Sequence, residues 1–284
     1  MLRSFIIAIV ILALLTGAAV VFLWPLRGVS ALTSRKGYSL RADIAYGMLP
    51  AQHLDVYTPD SAASDAPAII FIHGGGWAIG DKNEYRFIAQ AFASAGMIVV
   101  IPSYRLYPNV VFPEFVRDGA AAVAWTARNL AGHPIFLLGH SAGAHIAALL
   151  NLDERYLDGA GVPRGAVAGM IGLSGPYDFL PLTEERHKRI FPESSRDDNQ
   201  PIHFVDGTEP PMLLITGDAD TTVRSGNTTR LAAAVRAKGG GATVKIYPGV
   251  GHLSTMMALA KVLPYFKPPV RRDIRAFIAE VTGR

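Results

Sequence analysis

From residue 68 onward the chain repeats one alternation. Short, largely apolar runs at 68–72, 97–102, 135–138, 166–173, 212–216 and 242–247 are separated by longer segments. In those segments, near 83–95, 114–131, 142–151, 226–238, 253–263 and 270–282, apolar residues recur at helical spacing. Runs rich in Ile, Val and Leu without polar alternation suit strands buried on both faces. Strand–helix alternation predicts an α/β fold, a mostly parallel sheet with helices on both sides. Ahead of it, residues 41–46 and 53–57 alternate polar with apolar and read as two antiparallel entry strands.

Two stretches depart from the rhythm. Residues 175–210 carry Pro176, Pro181, Pro192, Pro201 and Pro210 among charges of both signs, and read as an insertion at one edge of the sheet. Its Phe179, Leu180, Leu182, Ile190 and Phe191 are candidates to line an acyl pocket, although residues 184–198 are mostly charged. Near the start, residues 5–24 (FIIAIVILALLTGAAVVFLW) contain no charge. As a helix this run spans about 30 Å, the thickness of a bilayer core, with Trp24 at the interface and Pro25 ending the helix. The division is therefore a membrane anchor over 1–28, a linker over 29–40 and a catalytic domain over 41–284. The body is expected on the exported side of the membrane. One alternative is a cleaved signal peptide, with Arg3 as its charged start and Gly17, Ala18 and Ala19 as a processing site; the other is a cytoplasm-facing body, because Arg27, Arg35, Lys36 and Arg41 outnumber Arg3.

Charge and composition narrow the function. Of 27 Lys and Arg, five lie in residues 1–41 with no acid, leaving 22 bases against 23 acids in 42–284. A nearly neutral body does not suit nucleic acid, whereas a basic flank beside an apolar run suits a membrane surface. The chain has no cysteine, which excludes disulfides, thiolate nucleophiles and Cys-based metal sites.

The chemistry lies in the turns after the apolar runs. Gly139-His140-Ser141-Ala142-Gly143 is a G-x-S-x-G between a strand and an Ala-rich helix, a context that exposes a serine Oγ on a sharp turn. His140 is expected to support that turn, and His145 to pack within the following helix. His73-Gly74-Gly75-Gly76-Trp77 follows another strand, and such a loop can present free N–H groups. Gly74 and Gly75, with Ala142, form a candidate oxyanion hole, each donor worth about 3 kcal/mol to a transition state. His252, in the loop after the last strand, is the candidate base. Asp220, in Gly217-Asp218-Ala219-Asp220, is the candidate acid, with Asp218 expected to bind loop N–H groups instead. The order Ser141, Asp220, His252 differs from that of trypsin-like and subtilisin-like enzymes.

With HGGGWAIGDK (73–82), SYRLYP (103–108), GHSAGAH (139–145), GLSGPYDF (172–179), GDADTTV (217–223) and GVGHLS (249–254), the chain resembles the α/β-hydrolase superfamily. Within it, the chain resembles the carboxylesterase branch near hormone-sensitive lipase and the feruloyl-esterase and kynurenine-formamidase-like enzymes. The resemblance implies Ser141 as nucleophile, Asp220 as acid, His252 as base and Gly74, Gly75 and Ala142 as oxyanion hole. It also implies structural roles for Tyr104, Arg105, Leu106 and Asp118. The expected activity is hydrolysis of esters with small to medium acyl chains, with no metal or organic cofactor. An amidase using the same triad and a catalytically silent binding protein are the alternatives.

Overall fold

The computed structural model of the chain describes residues 25–163, 165–263 and 268–284. The expected apolar helix over 5–24 lies outside them. Among the described residues no helix is long and apolar enough to cross a membrane. Among the described residues one sheet of eight strands organises the fold. The strands are β1 (Tyr38–Ala45), β2 (His53–Pro59), β3 (Ala68–Ile72), β4 (Ile98–Pro102), β5 (Ile135–His140), β6 (Val167–Leu173), β7 (Met212–Gly217) and β8 (Ala242–Tyr247). Their spatial order is β1-β2-β4-β3-β5-β6-β7-β8. The pairs β1–β2 and β2–β4 are antiparallel, and all others are parallel. This is the α/β-hydrolase architecture that the motifs imply.

The apolar runs are strands for the reason their composition suggests. Every residue of β3, β4, β5 and β7 is buried. Among the described residues no strand lies beyond β8, and the run at 242–247 is only partly covered. Thr243 and Lys245 are exposed there, so β8 is an edge strand rather than one buried on both faces.

The helices divide between the two faces. One face carries α3 (Glu114–Asn129), α4 (Ala142–Leu152), α5 (Glu154–Gly159) and α7 (Gly226–Ala237). The other carries α1 (Pro25–Leu32), α2 (Arg86–Ala93), α8 (Ser254–Met257) and α9 (Val270–Thr282). Between β6 and β7 lies α6 (Glu185–Ile190). All eleven residues of α4 are buried. Its small side chains let the helix lie close against β5 and β6.

Two expectations are corrected. The insertion 175–210 leaves from β6 and returns to β7, which are interior neighbours, so it caps the carboxyl ends of the central strands rather than one edge. Ile190 and Phe191 within it are fully buried and pack with Trp77, Phe112 and Phe115 as core, not as pocket lining. A helix begins at Pro25 and runs to Leu32. That helix is docked on the body: Val29 is 3% exposed, and Arg27 pairs with Glu84 at 2.7 Å. The stretch 29–40, read as a linker, holds the end of this helix, a short turn and the start of β1.

Below the site, Asp118 of α3 is buried and receives Arg105 through both oxygens, at 2.8 Å from Nη2 and Nε. The Arg105 backbone N–H and Gln52 Nε2 complete its shell at 2.9 and 2.7 Å. This ties the segment after β4 to α3, the structural role implied for both residues. Arg105→Leu leaves a buried carboxylate without its counter-ion. It should lower the unfolding free energy in urea by about 3 kcal/mol; an unchanged midpoint would contradict the pairing.

Candidate functional site

Each site element emerges from the carboxyl end of a parallel strand, where the loops of such sheets converge. The glycine loop follows β3, Ser141 follows β5, the insertion follows β6, Asp220 follows β7 and His252 follows β8. At Ser141 the backbone takes φ 53° and ψ −121°, a left-handed region that a side chain rarely enters. The strain is held by packing. A Cβ on Gly143 would lie 2.0 Å from the Ile72 carbonyl oxygen, and one on Gly139 would lie 2.3 Å from the Gly143 carbonyl oxygen. The Ser141 N–H donates to Leu173 O at 2.9 Å, which joins the turn to β6.

Ser141, His252 and Asp220 meet in a line. His252 Nε2 lies 2.9 Å from Ser141 Oγ, and His252 Nδ1 lies 2.8 Å from Asp220 Oδ2. With Nδ1–H donating to the carboxylate, Nε2 is free to accept the serine proton. Asp220 Oδ1 accepts from the N–H groups of Thr222 and Val223 at 3.0 and 2.8 Å. Burial pushes the Asp220 carboxyl up, but His252, the Val223 N–H and Ser174 outweigh it, so its pKa lies below the usual aspartate value. Asp218 instead accepts from the Gly249 N–H at 2.6 Å, as expected of a residue shaping the loop.

The glycine loop lies beside the serine. A Cβ on Gly74 would lie 3.2 Å from Ser141 Cβ and 2.9 Å from the His140 carbonyl oxygen, so only glycine fits. Among the described residues, no backbone carbonyl accepts from the N–H of Gly74, Gly75 or Ala142. These groups are thus available as donors at the head of the serine turn. The far end of the loop is fixed by Lys82, which is buried with Nζ 2.8 Å from Asp55 and 2.6 Å from Asp43. Burial alone pushes the Lys82 ammonium pKa down; the two carboxylates outweigh it and raise it.

Three buried histidines brace this arrangement. His73 lies between Tyr85 and Tyr104 and donates from Nδ1 to Gly74 O at 2.8 Å. His145 receives the Trp77 indole N–H at 3.3 Å and donates to Asn199 O at 2.8 Å, linking glycine loop, α4 and insertion. His140 was expected to brace its own turn. It reaches instead to the His252 loop, donating from Nε2 to His252 O at 3.0 Å, and Thr255 Oγ1 donates to the same carbonyl at 3.0 Å. The sequence offered no signal for these long-range partners beyond the presence of His and Trp in the quoted motifs.

A cleft of about 1110 Å³ opens over Ser141 and His252. Trp77, Phe179 and Leu182 form apolar wall, while Thr222, Arg224 and Asn227 bring polar groups. Of the five candidate insertion residues, Phe179 and Leu182 line the cleft.

Burial lowers the pKa of His73, His140 and His145 from 6.5 to about 4. The unfolded chain takes up these protons below pH 6.5, but the folded chain does so only near pH 4. Stability is therefore complete above pH 6.5 and lost as pH falls toward 4, by about 1.4 kcal/mol per pH unit for each histidine. Urea unfolding at pH 7 and pH 5 should show this fall. Equal stability at both would contradict burial of the neutral rings.

Comparison with known proteins agrees with this fold. The chain is 28% identical over 241 residues to a probable isoprenylcysteine alpha-carbonyl methylesterase, ICMEL1, from Arabidopsis thaliana, covering 75% of this chain and 51% of that one. It is 30% identical to Esterase LipC of Mycobacterium tuberculosis, over 88% of this chain and 70% of that one. The chain spans about half the length of the methylesterase relatives it matches. The structure of Esterase B from Lactobacillus rhamnosis superposes with a TM-score of 0.77 at 20% identity, covering 96% of each chain, and shares the fold. The BD-FAE family pattern matches residues 54–235, from β2 to α7. Since that match takes in more than half of the chain, the protein belongs to the BD-FAE family, on an α/β-hydrolase fold.

Proposed function

We propose that the protein is a serine hydrolase that cleaves carboxylic esters of small to medium acyl chain. The observation that carries this reading is the unbroken line from Asp220 through His252 to Ser141 Oγ, at 2.8 and 2.9 Å, beneath an open cleft. The esterase names of the relatives support the reaction class.

In this reading His252 Nε2 takes the Ser141 proton as Oγ attacks the ester carbonyl. The oxyanion is held by the N–H groups of Gly74, Gly75 and Ala142. Asp220 keeps Nδ1–H in place and stabilises the imidazolium. The tetrahedral intermediate collapses, His252 gives its proton to the departing alcohol, and the acyl group stays on Ser141. Water, deprotonated by His252, then attacks the acyl-enzyme and releases the acid. The ionised Asp220 that this requires is the state its hydrogen bonds favour.

The test is hydrolysis of p-nitrophenyl esters from acetate to decanoate. Turnover should peak at short to medium chains. Ser141→Ala should lower kcat by about 10⁴-fold or more, with a melting temperature within a few degrees of the parent. Retained turnover in that variant would refute the nucleophile. Asp220→Asn should lower kcat by about 10⁴-fold, whereas Asp218→Asn should leave most of the rate; the reverse pattern would move the acid to Asp218.

A further inference from the structure

The cleft mouth lies beside the point where the apolar run ends. Leu26 and Arg27, the second and third residues of α1, line the same cleft as Ser141 and His252. Trp24 closes the uncharged run 5–24, so only Pro25 separates that run from the cleft lining. Two residues of chain span at most about 7 Å. The connection is also stiff. Arg27 pairs with Glu84, the Ser30 hydroxyl donates to the Glu84 carbonyl, Arg86 donates to Ser30 O at 3.3 Å, and Val29 is buried among the core residues of that face. No free tether separates the body from the run.

The rim beside α1 has the composition of a surface that meets lipid. Ile79 and Leu253 line the cleft there with 67% and 50% of their surface exposed, and Leu32 at the end of α1 is 64% exposed. Arg27, Arg35 and Lys36 add exposed cations around this helix. Lone apolar side chains on a surface need no explanation. Here Leu26, Ile79, Leu253 and the cation Arg27 share the lining of one cleft, and Leu26 and Arg27 lie close in sequence to twenty uncharged residues. On the opposite face of the sheet, the α7 side of the cleft is polar, with Thr222, Arg224 and Asn227.

We propose that the cleft opens onto a bilayer surface at the end of the 5–24 run. Its substrates are then short-chain esters of amphiphiles that reside in the membrane. The apolar alcohol tail stays in the lipid beside Leu26, Ile79 and Leu253, and the acyl group enters toward Trp77 and Phe179. This deepens the esterase reading and rests on it. The reaction balances as ordinary hydrolysis: water gives its hydroxyl to the acyl group, and the alkoxide leaves as the protonated alcohol.

The experiment uses the full chain reconstituted into phosphatidylcholine–phosphatidylglycerol vesicles. Butyrate release is measured from hexadecyl butyrate dissolved in the vesicles and from p-nitrophenyl butyrate in water. A second protein carries a 20-residue Gly-Ser insert between Trp24 and Pro25, which lets the body drift about 25 Å from the run. The insert should lower hydrolysis of the vesicle ester by about tenfold through the lost effective concentration, and leave the soluble ester unchanged. Equal rates on the vesicle ester, or none from the parent that hydrolyses the soluble ester, would overturn the proposal. Failure of the parent on both esters would instead overturn the esterase reading. A readout free of catalysis accompanies it. The chain has no cysteine, so Leu32→Cys takes a single environment-sensitive fluorophore. Doxyl-lipid quenching of that label in the parent, and its loss with the insert, supports the seating; no quenching in the parent overturns it.

Discussion

The site depends on the close approach of α4 to the strand ends. Gly143 has no room for a Cβ because the Ile72 carbonyl occupies that space, and Gly139 has none because of the Gly143 carbonyl. This contact holds Ser141 in a left-handed conformation that an isolated chain would avoid. With the turn in place, the Oγ sits above the sheet, the first N–H groups of α4 face the same side, and the glycine loop after β3 lies alongside. Serine, histidine and aspartate come within 2.9 and 2.8 Å because β5, β6, β7 and β8 run parallel, so the loops that carry them leave the same end of the sheet, with β7 and β8 running two residues further than β5 and β6.

Buried neutral histidines carry much of the bracing. A ring with one donor and one acceptor can join two backbone segments without introducing charge, which suits a site of low dielectric. His145 joins an indole donor to an insertion carbonyl, and His140 holds the carbonyl of His252 itself. The orientation of His252 is thus set from two directions, by Asp220 through its ring and by His140 and Thr255 through its backbone. The same choice makes the fold sensitive to acid, because each buried ring is neutral at a pH where it would be charged in water.

Much of the architecture was legible in order and kind. The continuous apolar runs became interior strands because residues apolar on both sides have only the space between two helix layers to occupy. The G-x-S-x-G, the triglycine and the late aspartate and histidine were legible because each is local: a turn that needs glycine, or a polar residue directly after a strand. The edge position of β8 was not legible. A run of mixed Val, Ile, Thr and Lys does not say how many neighbours it has. Nor was the place of the insertion, since sequence order between β6 and β7 does not reveal that these strands are interior neighbours.

The amino-acid sequence by itself determined the class of fold, the chemical identity of the site groups and the apolar character of residues 5–24, because these rest on local pattern and composition. Only the tertiary structure decided which groups meet. His140 and His252 are 112 residues apart in the chain, and His145 and Asn199 are 54 apart. The docking of α1 against Glu84 was likewise invisible, since an eight-residue segment with Gly, Ser and Pro carries no strong helix signal of its own. Packing supplies the free energy that local propensity lacks, and packing partners are chosen by the sheet, not by neighbours in sequence.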